Sequence, residues 1–301
     1  MDLEALRRAV ITHADAQGAG NLPFQTPVPG LTLVRSRRPT ELTPVLFQPF
    51  FCLVLQGAKQ SAQADRMVSF GAGQSLVISH DRPTFSRIVE ASPAAPYLAL
   101  ALLLDIAMVR EIAEAMGPDG LSDTGAASVT VGATTAAELD AMGRLFGLIG
   151  QPAAARVLAP LYTREVHVHL MAAGHGAMLR GLARRDSHAS QITRAIAVIR
   201  RDYAGVLRVG DLAAAAGMSP SVFHDRFRSF TGTSPLQFQK HLRLMEARRL
   251  IRDQGAGVAP AAFAVGYESP TQFSREYSRA FGIAPSRDRA DEPVAGMAAA
   301  G

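Results

Sequence analysis

An internal repeat close to the carboxyl end constrains the fold of this chain more than any other feature. The first copy is LAAAAGMSPSVFHDRFRSFTGTSP (212–235), and the second is AAFAVGYESPTQFSREYSRAFGIAP (261–285). Two aromatic residues, a glycine and a proline recur with an offset of 50 residues, and an alanine–glycine pair recurs with an offset of 49. The turn of the second copy is therefore one residue longer than the turn of the first.

Each recurring residue type has a role in a helix-turn-helix unit. An alanine four positions before a glycine (Ala213 and Gly217) lets two short helices pack closely, and the glycine accepts the left-handed backbone of a tight turn. Ser219 is then predicted as the N-cap of the second helix, with proline at its first position. Phe223 and Phe227 lie four positions apart, so they share one face that packs into a core.

The opposite face of each second helix is polar, as in helices that enter the major groove of DNA. It carries Ser221, His224, Asp225 and Arg228 in the first copy, and Thr271, Ser274 and Arg275 in the second. Between the copies, PLQFQKHLRLMEARRLIR (235–252) predicts one uninterrupted helix, which at 18 residues is about 27 Å long. Because successive major grooves are roughly 34 Å apart, such a spacer would place two recognition helices in adjacent grooves. A single copy would be compatible with a helical bundle inside an enzyme, whereas two copies in register favour DNA binding.

The distribution of charge along the chain supports the same interpretation. The net charge is +5, but residues 188–289 contain 15 Lys/Arg against 8 Asp/Glu, whereas residues 1–187 contain 16 of each. A basic C-terminal region that follows a neutral N-terminal region indicates that only the basic region binds a polyanion. On charge alone, a solvated basic surface is an equally good explanation.

The rest of the chain divides into segments with different patterns of apolar residues. Residues 1–20 predict a short amphipathic helix, and from about 22 to 104 short apolar runs alternate with Gly, Pro and polar turns, as in a β-sandwich or small barrel. Further helices are predicted near 105–116, 136–149 and 160–182, with a break at Gln151-Pro152. We therefore expect an α+β chain of two domains. The N-terminal domain is predicted at 1–187, and an all-α domain with both helix-turn-helix units at 188–289. A linker is expected at 184–188 and a disordered tail at 290–301.

Several classes of protein are disfavoured by the sequence. The longest apolar runs, such as Tyr97 to Leu104, are far shorter than the ~20 residues of a membrane helix. The amino terminus, MDLEALRRAVITHADAQ, mixes acids and bases and does not predict a secretory signal. A single cysteine, Cys52, rules out an internal disulfide framework and a cysteine-rich zinc site. We expect a cytoplasmic protein.

The motifs GMSPSVFHDRF, SPLQFQKHLRLMEARRLI and VGYESPTQFSREYSRAFGIAP resemble the DNA-binding domain of the AraC/XylS transcription regulators. Upstream, LTLVRSRRPTE, LVLQGAK, SPAAPYLALALLLD and LAPLYTREVHVHLM resemble the N-terminal effector-binding and dimerisation domain of one branch of that family. The resemblance covers most of the chain and implies a cupin-like barrel with flanking helices. It also implies double-stranded DNA and a small-molecule effector of unknown identity as partners, a homodimer, and RNA polymerase as a further candidate partner.

The resemblance places the DNA contacts on the two polar faces. The candidate residues are Ser219, Ser221, His224, Asp225, Arg228, Thr271, Ser274 and Arg275. Arg275 is the strongest candidate, because arginine can donate to guanine O6 and N7 together. Asp225 departs from the long basic or polar side chain frequent in the family, so it either accepts a hydrogen bond from cytosine N4 or pairs with Arg228 and touches no base. The terminal PSRDR departs from the Pro-x-x-Tyr-Arg common in the family, which puts a terminal packing contact in question but not the fold.

The N-terminal region offers little for catalysis. Catalytic cupins bind metal through clustered His and Glu, but the predicted barrel contains a single histidine, His80. His167 and His169 point to different faces of a predicted helix, and Glu165 with His169 supplies two ligands rather than a metal site. No phosphate-binding loop, nucleophile elbow or paired-carboxylate motif occurs. We expect a buried, inert Cys52, and neither an enzyme nor a cofactor.

Two assignments in this region stay open. Phe51, Leu53, Leu55 and Val77 line either a ligand pocket or a solid core. A partly apolar stripe of Leu161, Glu165 and Val168, with the helices near 136–149 and 160–172, is the candidate dimer contact, although such a stripe is equally typical of an intramolecular core. The alternatives to an effector-responsive regulator are a cupin-type enzyme tethered to a DNA-binding domain and a constitutive regulator whose barrel only dimerises.

Overall fold

The computed structural model describes residues 1–21, 23–63, 66–117, 128–183 and 187–288. The strands in these residues are β1 (Pro23–Gln25), β2 (Leu31–Ser36), β3 (Thr43–Phe47), β4 (Phe50–Gln56), β5 (Ala58–Gln63), β6 (Arg66–Gly71), β7 (Gln74–Ile78), β8 (Arg82–Glu90), β9 (Tyr97–Leu103) and β10 (Val129–Ala133). The helices are α1 (Leu3–Ala16), α2 (Ile106–Met116), α3 (Ala136–Gly147), α4 (Pro152–Ala172), α5 (Gly176–Ala183), α6 (His188–Arg201), α7 (Val209–Ala216), α8 (Pro220–Thr231), α9 (Pro235–Asp253), α10 (Val258–Ala264) and α11 (Pro270–Phe281).

The strands form two antiparallel sheets, of order β1-β2-β9-β4-β7-β10 and β3-β8-β5-β6. An apolar core lies between them, built from both sheets and including Phe47, Phe50, Cys52, Phe70 and Tyr97. This arrangement, followed by a helical domain with two helix-turn-helix units, confirms the predicted α+β class.

The other face of the six-stranded sheet is covered by helices. α1 packs on β2, β4 and β9, through buried Leu6, Val10 and Ala14. Residues from the same face of the sheet and from α2 to α5 continue this core. The central strands of the sheet are therefore buried on both faces, as the pattern of β4 shows, with six consecutive buried residues.

Two predictions for the segment after residue 104 were wrong. The sheet does not end at 104, because β10 returns to pair with β7, with Val131 opposite Leu76. The helix predicted over 160–182 is two helices: α4 begins at Pro152 and continues through Pro160 to Ala172, and α5 starts at Gly176. The chain turns between them because Ala173, the C-cap residue, is extended. The predicted break at Gln151-Pro152 was correct, since Pro152 occupies the first turn of α4.

The C-terminal helices belong to two cores. The apolar core of the N-terminal domain continues without a break through α6, α7 and α8 as far as Leu242 of α9. A separate cluster joins the second half of α9 to α10 and α11. Of the predicted linker at 184–188, residues 184–186 lie outside the described residues, whereas Ser187 and His188 belong to α6 as its N-cap and first residue. The predicted tail at 290–301 also lies outside the described residues. None of the described helices has the length and apolar character needed to cross a bilayer.

Candidate DNA-binding surface and the contacts that hold it

The internal repeat folds into two helices of the same construction. α8 and α11 each contain 12 residues, start with proline after a serine N-cap, and end at a left-handed glycine. The centroids of Phe223 and Phe227 are 5.4 Å apart, and those of Phe273 and Tyr277 are also 5.4 Å apart. All four rings are fully buried. The aromatic pairs therefore fix which face of each helix turns outward.

The turns that precede these helices need glycine. Gly217 has φ 68° and Gly266 has φ 85°, in the left-handed region that disfavours other residues. At Gly266 there is also no space, because a Cβ would lie 1.9 Å from the carbonyl oxygen of Ala204. The glycine of the second unit thus lets that turn touch the loop between α6 and α7.

The outward faces are open to solvent. Seven of the eight candidate contact residues are exposed and Ser274 is partly exposed. The Ser219 side chain makes no capping hydrogen bond, whereas Ser269 accepts one from the Gln272 amide. Asp225 is 88% exposed, and its carboxylate lies 4.0 Å from His224 Nδ1 rather than beside Arg228. Both helices therefore present solvent-accessible polar side chains on one face.

Helix α9 holds the two units together through side chains that the sequence analysis did not single out. Arg243 donates to the carbonyl oxygens of Tyr203 (2.7 Å), Gly205 (2.8 Å) and Gly266 (2.9 Å). Gln239 also donates to Tyr203 and Gly205, at 2.8 and 2.7 Å. One guanidinium thus joins the loop before the first unit to the turn of the second. No sequence signal marks it, because its partners are backbone carbonyls.

A buried carboxylate binds the C-terminal end of the second helix-turn-helix unit to α9. Asp288, in the PSRDR segment, accepts hydrogen bonds from Arg248 and Arg252 of α9, each at 2.7 Å, and from the Tyr277 hydroxyl at 2.8 Å. The Arg248 guanidinium also lies 4.3 Å from the ring centroid of Phe281. Burial and the contact with Asp288 raise the pKa of Tyr277. The terminal contact questioned from the sequence is therefore present, but it is ionic.

The N-terminal domain touches the first unit through the loop that joins β7 to β8. His80 Nε2 lies 2.9 Å from the carbonyl oxygen of Phe230 at the end of α8, and the two rings are 4.7 Å apart. Arg82 Nη1 donates to the same carbonyl at 3.4 Å. Asp81 forms an ion pair with Arg200 of α6. α9 also lies against β3 and β8.

These contacts predict a dependence of stability on pH. Burial lowers the pKa of His80 to about 3, so the unfolded chain, with a histidine pKa near 6.5, binds the extra proton between these values. The contribution of His80 to the free energy of unfolding should therefore be complete above about pH 6.5, and below that pH it should fall by about 1.4 kcal/mol per pH unit. We expect His80→Gln, which keeps a donor for Phe230, to flatten the fall of Tm between pH 7.5 and 5. His224→Gln, at an exposed site, is the control, and parallel curves for His80→Gln and the unchanged chain would contradict the assignment.

The candidate ligand residues face away from the space between the sheets. Phe51, Leu53, Leu55 and Val77 are in the helix-covered core, while the alternate residues of the same strands line the inner core. All four are fully buried among the apolar side chains of that core. The sequence did not show which alternate residues of these strands face the space between the sheets, because both faces of β4 and β7 are apolar.

A separate apolar cavity of about 420 Å³ lies outside the sheets, between β9, α2 and α4, and is lined by residues including Leu102, Leu104, Met108 and Pro160. This cavity has room for a small molecule.

The groups considered for metal or redox chemistry have other partners. His167 is buried, and its Nε2 accepts a hydrogen bond from the Asp105 amide at 3.0 Å. His169 lies 3.8 Å from Glu165. Burial raises the pKa of the Cys52 thiol to about 11. Within the described ranges, no three His, Cys, Asp or Glu side chains are grouped so as to hold a metal ion.

The predicted dimer stripe lies on α4. Leu161 is 58% exposed and Val168 is 37% exposed, and Val157, one turn before Leu161, is 68% exposed. Glu165 is turned toward α3, where Arg144 donates to it at 2.6 and 3.1 Å.

Comparison with known proteins gives matches in both halves of the chain. Residues 27–178 match the family model of the AraC-type transcriptional regulator N-terminus, and residues 212–291 match that of a helix-turn-helix domain. The HTH-type transcriptional regulator CdhR of Pseudomonas aeruginosa is 29% identical over 196 residues, which are 64% of this chain and 54% of that protein. The HTH-type transcriptional regulator MtrA of Neisseria gonorrhoeae is 32% identical over 81 residues, 27% of each chain. The chain spans about half of CdhR and about a quarter of MtrA.

Solved structures of ToxT from Vibrio cholerae share the fold. Wild-type ToxT with an unsaturated fatty acid bound aligns with a TM-score of 0.59, over 88% of this chain and 94% of that chain, at 9% identity. A second ToxT structure aligns with a TM-score of 0.59 over 85% and 97% of the two chains, also at 9% identity. At this identity the likeness concerns the fold alone.

Proposed function

Because this chain belongs to the AraC/XylS family of transcription regulators, we propose that it binds duplex DNA sequence-specifically and regulates transcription. The observation that carries the proposal is the pair of recognition helices. In both α8 and α11, two fully buried aromatic rings oppose a face of solvent-exposed polar side chains. A helix fixed in this way can enter a major groove with its side chains free to contact bases.

The roles of the candidate residues follow from their chemistry. Arg275 would donate to guanine O6 and N7, and the short side chains of Ser221, Thr271 and Ser274 suit single hydrogen bonds to base edges or phosphates. Ser219, whose hydroxyl is not used for capping, suits a phosphate contact. Asp225, which lies beside His224, is proposed as an acceptor for cytosine N4. The domain that carries these residues, proposed as 188–289, also carries the excess positive charge.

The N-terminal domain, proposed as 1–187, would bind a small-molecule effector. One solved structure of ToxT contains a bound unsaturated fatty acid, and the fold of this domain is shared with that protein. The contacts of the β7–β8 loop and of the first residue of β8 could transmit the effect of a ligand, since His80 and Arg82 both reach the last turn of α8. An effector that binds differently to two arrangements of these strands would shift the position of the first recognition helix.

We also propose a homodimer through α4. Val157, Leu161 and Val168 are exposed on one side of this helix, and burying such a stripe against a second copy removes apolar area from water. We expect Leu161→Glu to convert a dimer into a monomer in sedimentation velocity at micromolar concentration. Val206→Glu, at a 91% exposed valine of the C-terminal domain, is the matched control. A Leu161→Glu variant that sediments like this control would place the dimer contact elsewhere.

The relatives with curated names are transcription regulators, which supports this proposal over the enzyme alternative. The decisive experiment is selection of binding sites from random duplexes with the full chain, followed by titration of salt on the enriched site. We expect one enriched sequence and an affinity that falls steeply as salt rises, because phosphate contacts release counterions. Weak binding without enrichment at physiological salt would refute the proposed function.

A further inference from the structure

Helix α9 passes from one apolar core to the next at Arg243. The core that contains the first unit ends at Leu242, and the core of α10 and α11 begins at Leu244. Each helix-turn-helix unit therefore has its own packing, and one continuous helix joins the two. Because long helices commonly curve, α9 alone does not fix the direction of α11 relative to α8.

A contact beside α9 holds the two units at one relative position. Arg243 Nε donates to the Tyr203 carbonyl oxygen at 2.7 Å, and Nη2 donates to that of Gly205 at 2.8 Å, in the loop between α6 and α7. Nη1 donates to the Gly266 carbonyl oxygen at 2.9 Å, in the turn between α10 and α11. That loop and that turn also touch directly, since a Cβ at Gly266 would lie 1.9 Å from the Ala204 carbonyl oxygen. All three guanidinium nitrogens are used, and one side chain spans both units.

The neighbouring polar side chains of α9 do not replace this contact. The two hydrogen bonds of the Gln239 amide both go to the loop of the first unit, at Tyr203 and Gly205. Lys240 pairs with Glu276 of α11 at 3.0 Å, but 32% of the lysine side chain is exposed, and ion pairs open to solvent contribute little. The guanidinium, with five N–H donors in a fixed planar fork, is therefore the main polar link between the units.

We propose that Arg243 is a positioning residue for DNA recognition. Its contacts set the separation of α8 and α11, and hence the number of base pairs between the two segments that the chain reads. The inference rests on the proposed function and adds a determinant of specificity that touches no base. One base pair changes the separation along the duplex by about 3.4 Å and the rotation about its axis by about 35°. A link that resists such displacements makes a site of the wrong spacing bind less well.

The test measures the spacing preference of variants of the full chain. Fluorescence anisotropy gives Kd for the selected site and for sites with one base pair inserted or removed between the two contacted segments, and the ratio of these values measures the preference. We expect this ratio to fall about tenfold in Arg243→Met, as for the loss of a charged hydrogen-bond donor. Arg249→Met removes another arginine of α9, one paired with Glu246, and Gln239→Met removes hydrogen bonds to the same loop. Both controls should keep the ratio of the unchanged chain.

Binding to single segments separates positioning from folding. Duplexes with only the segment read by α8, or only that read by α11, should bind Arg243→Met as tightly as Arg249→Met, because each unit keeps its own core. Arg243→Lys is measured in parallel, so that a folding defect of Arg243→Met does not end the test. Lysine keeps the charge but lacks the fork that reaches both units, so it should also lower the ratio.

Two results would overturn the proposal. One is a ratio for both Arg243 variants that equals the ratio of the controls. The other is a loss of affinity for single segments in both variants, which would make the role of Arg243 structural. Site selection from random duplexes distinguishes this inference from the proposed function. If a two-segment site is enriched and its spacing preference does not change, only this inference fails; if no sequence is enriched, the proposed function fails with it.

Discussion

Asp288→Ala should destabilise the second helix-turn-helix unit by about 3–5 kcal/mol. The carboxylate is 2% exposed and is the shared acceptor for Arg248, Arg252 and the Tyr277 hydroxyl. Removing it leaves two positive charges close together in a partly buried site, where the loss of one partner costs more than the pair contributed. Because α10 and α11 have a core separate from the first unit, the effect should stay in the second unit.

Hydrogen exchange measured by mass spectrometry on the full chain can test this effect element by element. The amides of α11 should lose roughly a hundredfold or more of their protection in Asp288→Ala, while those of α8 keep theirs. Asp253→Ala removes an exposed acid at the end of α9 and is the matched control. Equal protection of α11 in the two variants would show that the ionic cluster does not hold the unit.

Arg275→Ala should weaken binding to the selected DNA site by about 1–3 kcal/mol, or roughly 5- to 150-fold. The side chain is exposed on the polar face of α11, and the opposite face of that helix is anchored by Phe273 and Tyr277. A lost bidentate contact to guanine removes discrimination at one base pair. Preference at that position should therefore relax while the rest of the site is unchanged.

Arg275→Lys separates base contact from charge. Lysine keeps the positive charge but lacks the planar fork of arginine, so we expect the salt dependence of binding to stay the same while preference at one position is lost. Fluorescence anisotropy on the selected site and on single-base variants measures both quantities. If Arg275→Lys kept full preference and Arg275→Ala lost affinity equally for all sequences, Arg275 would be a phosphate contact.

The helix-turn-helix units were predictable from the sequence because their determinants are local. Proline, serine and glycine mark the ends of α8 and α11 within a few residues, and the spacing of Phe223 and Phe227 shows which face is buried. The 50-residue offset then supplied a second, independent instance of the same pattern. For the same reason the spacer helix was predicted almost to its end, over 235–252 against Pro235–Asp253 in the structure.

The N-terminal predictions failed where the determinant is not local. Alternation identifies the inner face of a strand only if the other face is polar, and β4 is buried on both faces. The pairing of β10 with β7 joins residues that are 51 positions apart at Val129 and Ile78 and 59 apart at Ala133 and Gln74. Pro160 lies inside α4, where a proline is normally a helix breaker.

Two contacts that matter for the site were also beyond sequence reasoning. Arg243 binds backbone carbonyls of Tyr203 and Gly266, which leave no mark in residue identity. Asp288 stands in a segment that differs from the family pattern, and its partners Arg248 and Arg252 are 40 and 36 residues away. Such pairs can be recognised only once the helices are placed.

The central claim is that α8 and α11 of one chain occupy two successive major grooves at a separation fixed by α9. The direct measurement is the affinity of the full chain for its selected site after 5 or 10 base pairs are inserted between the two contacted segments. A rigid spacer of about 28 Å predicts that both insertions reduce affinity to that of a site with one segment. The 10-base-pair insertion returns the second segment to the same face of the DNA, but it also moves that segment one helical turn further from the first. Unchanged affinity after either insertion, or recovery at 10 base pairs, would contradict the claim.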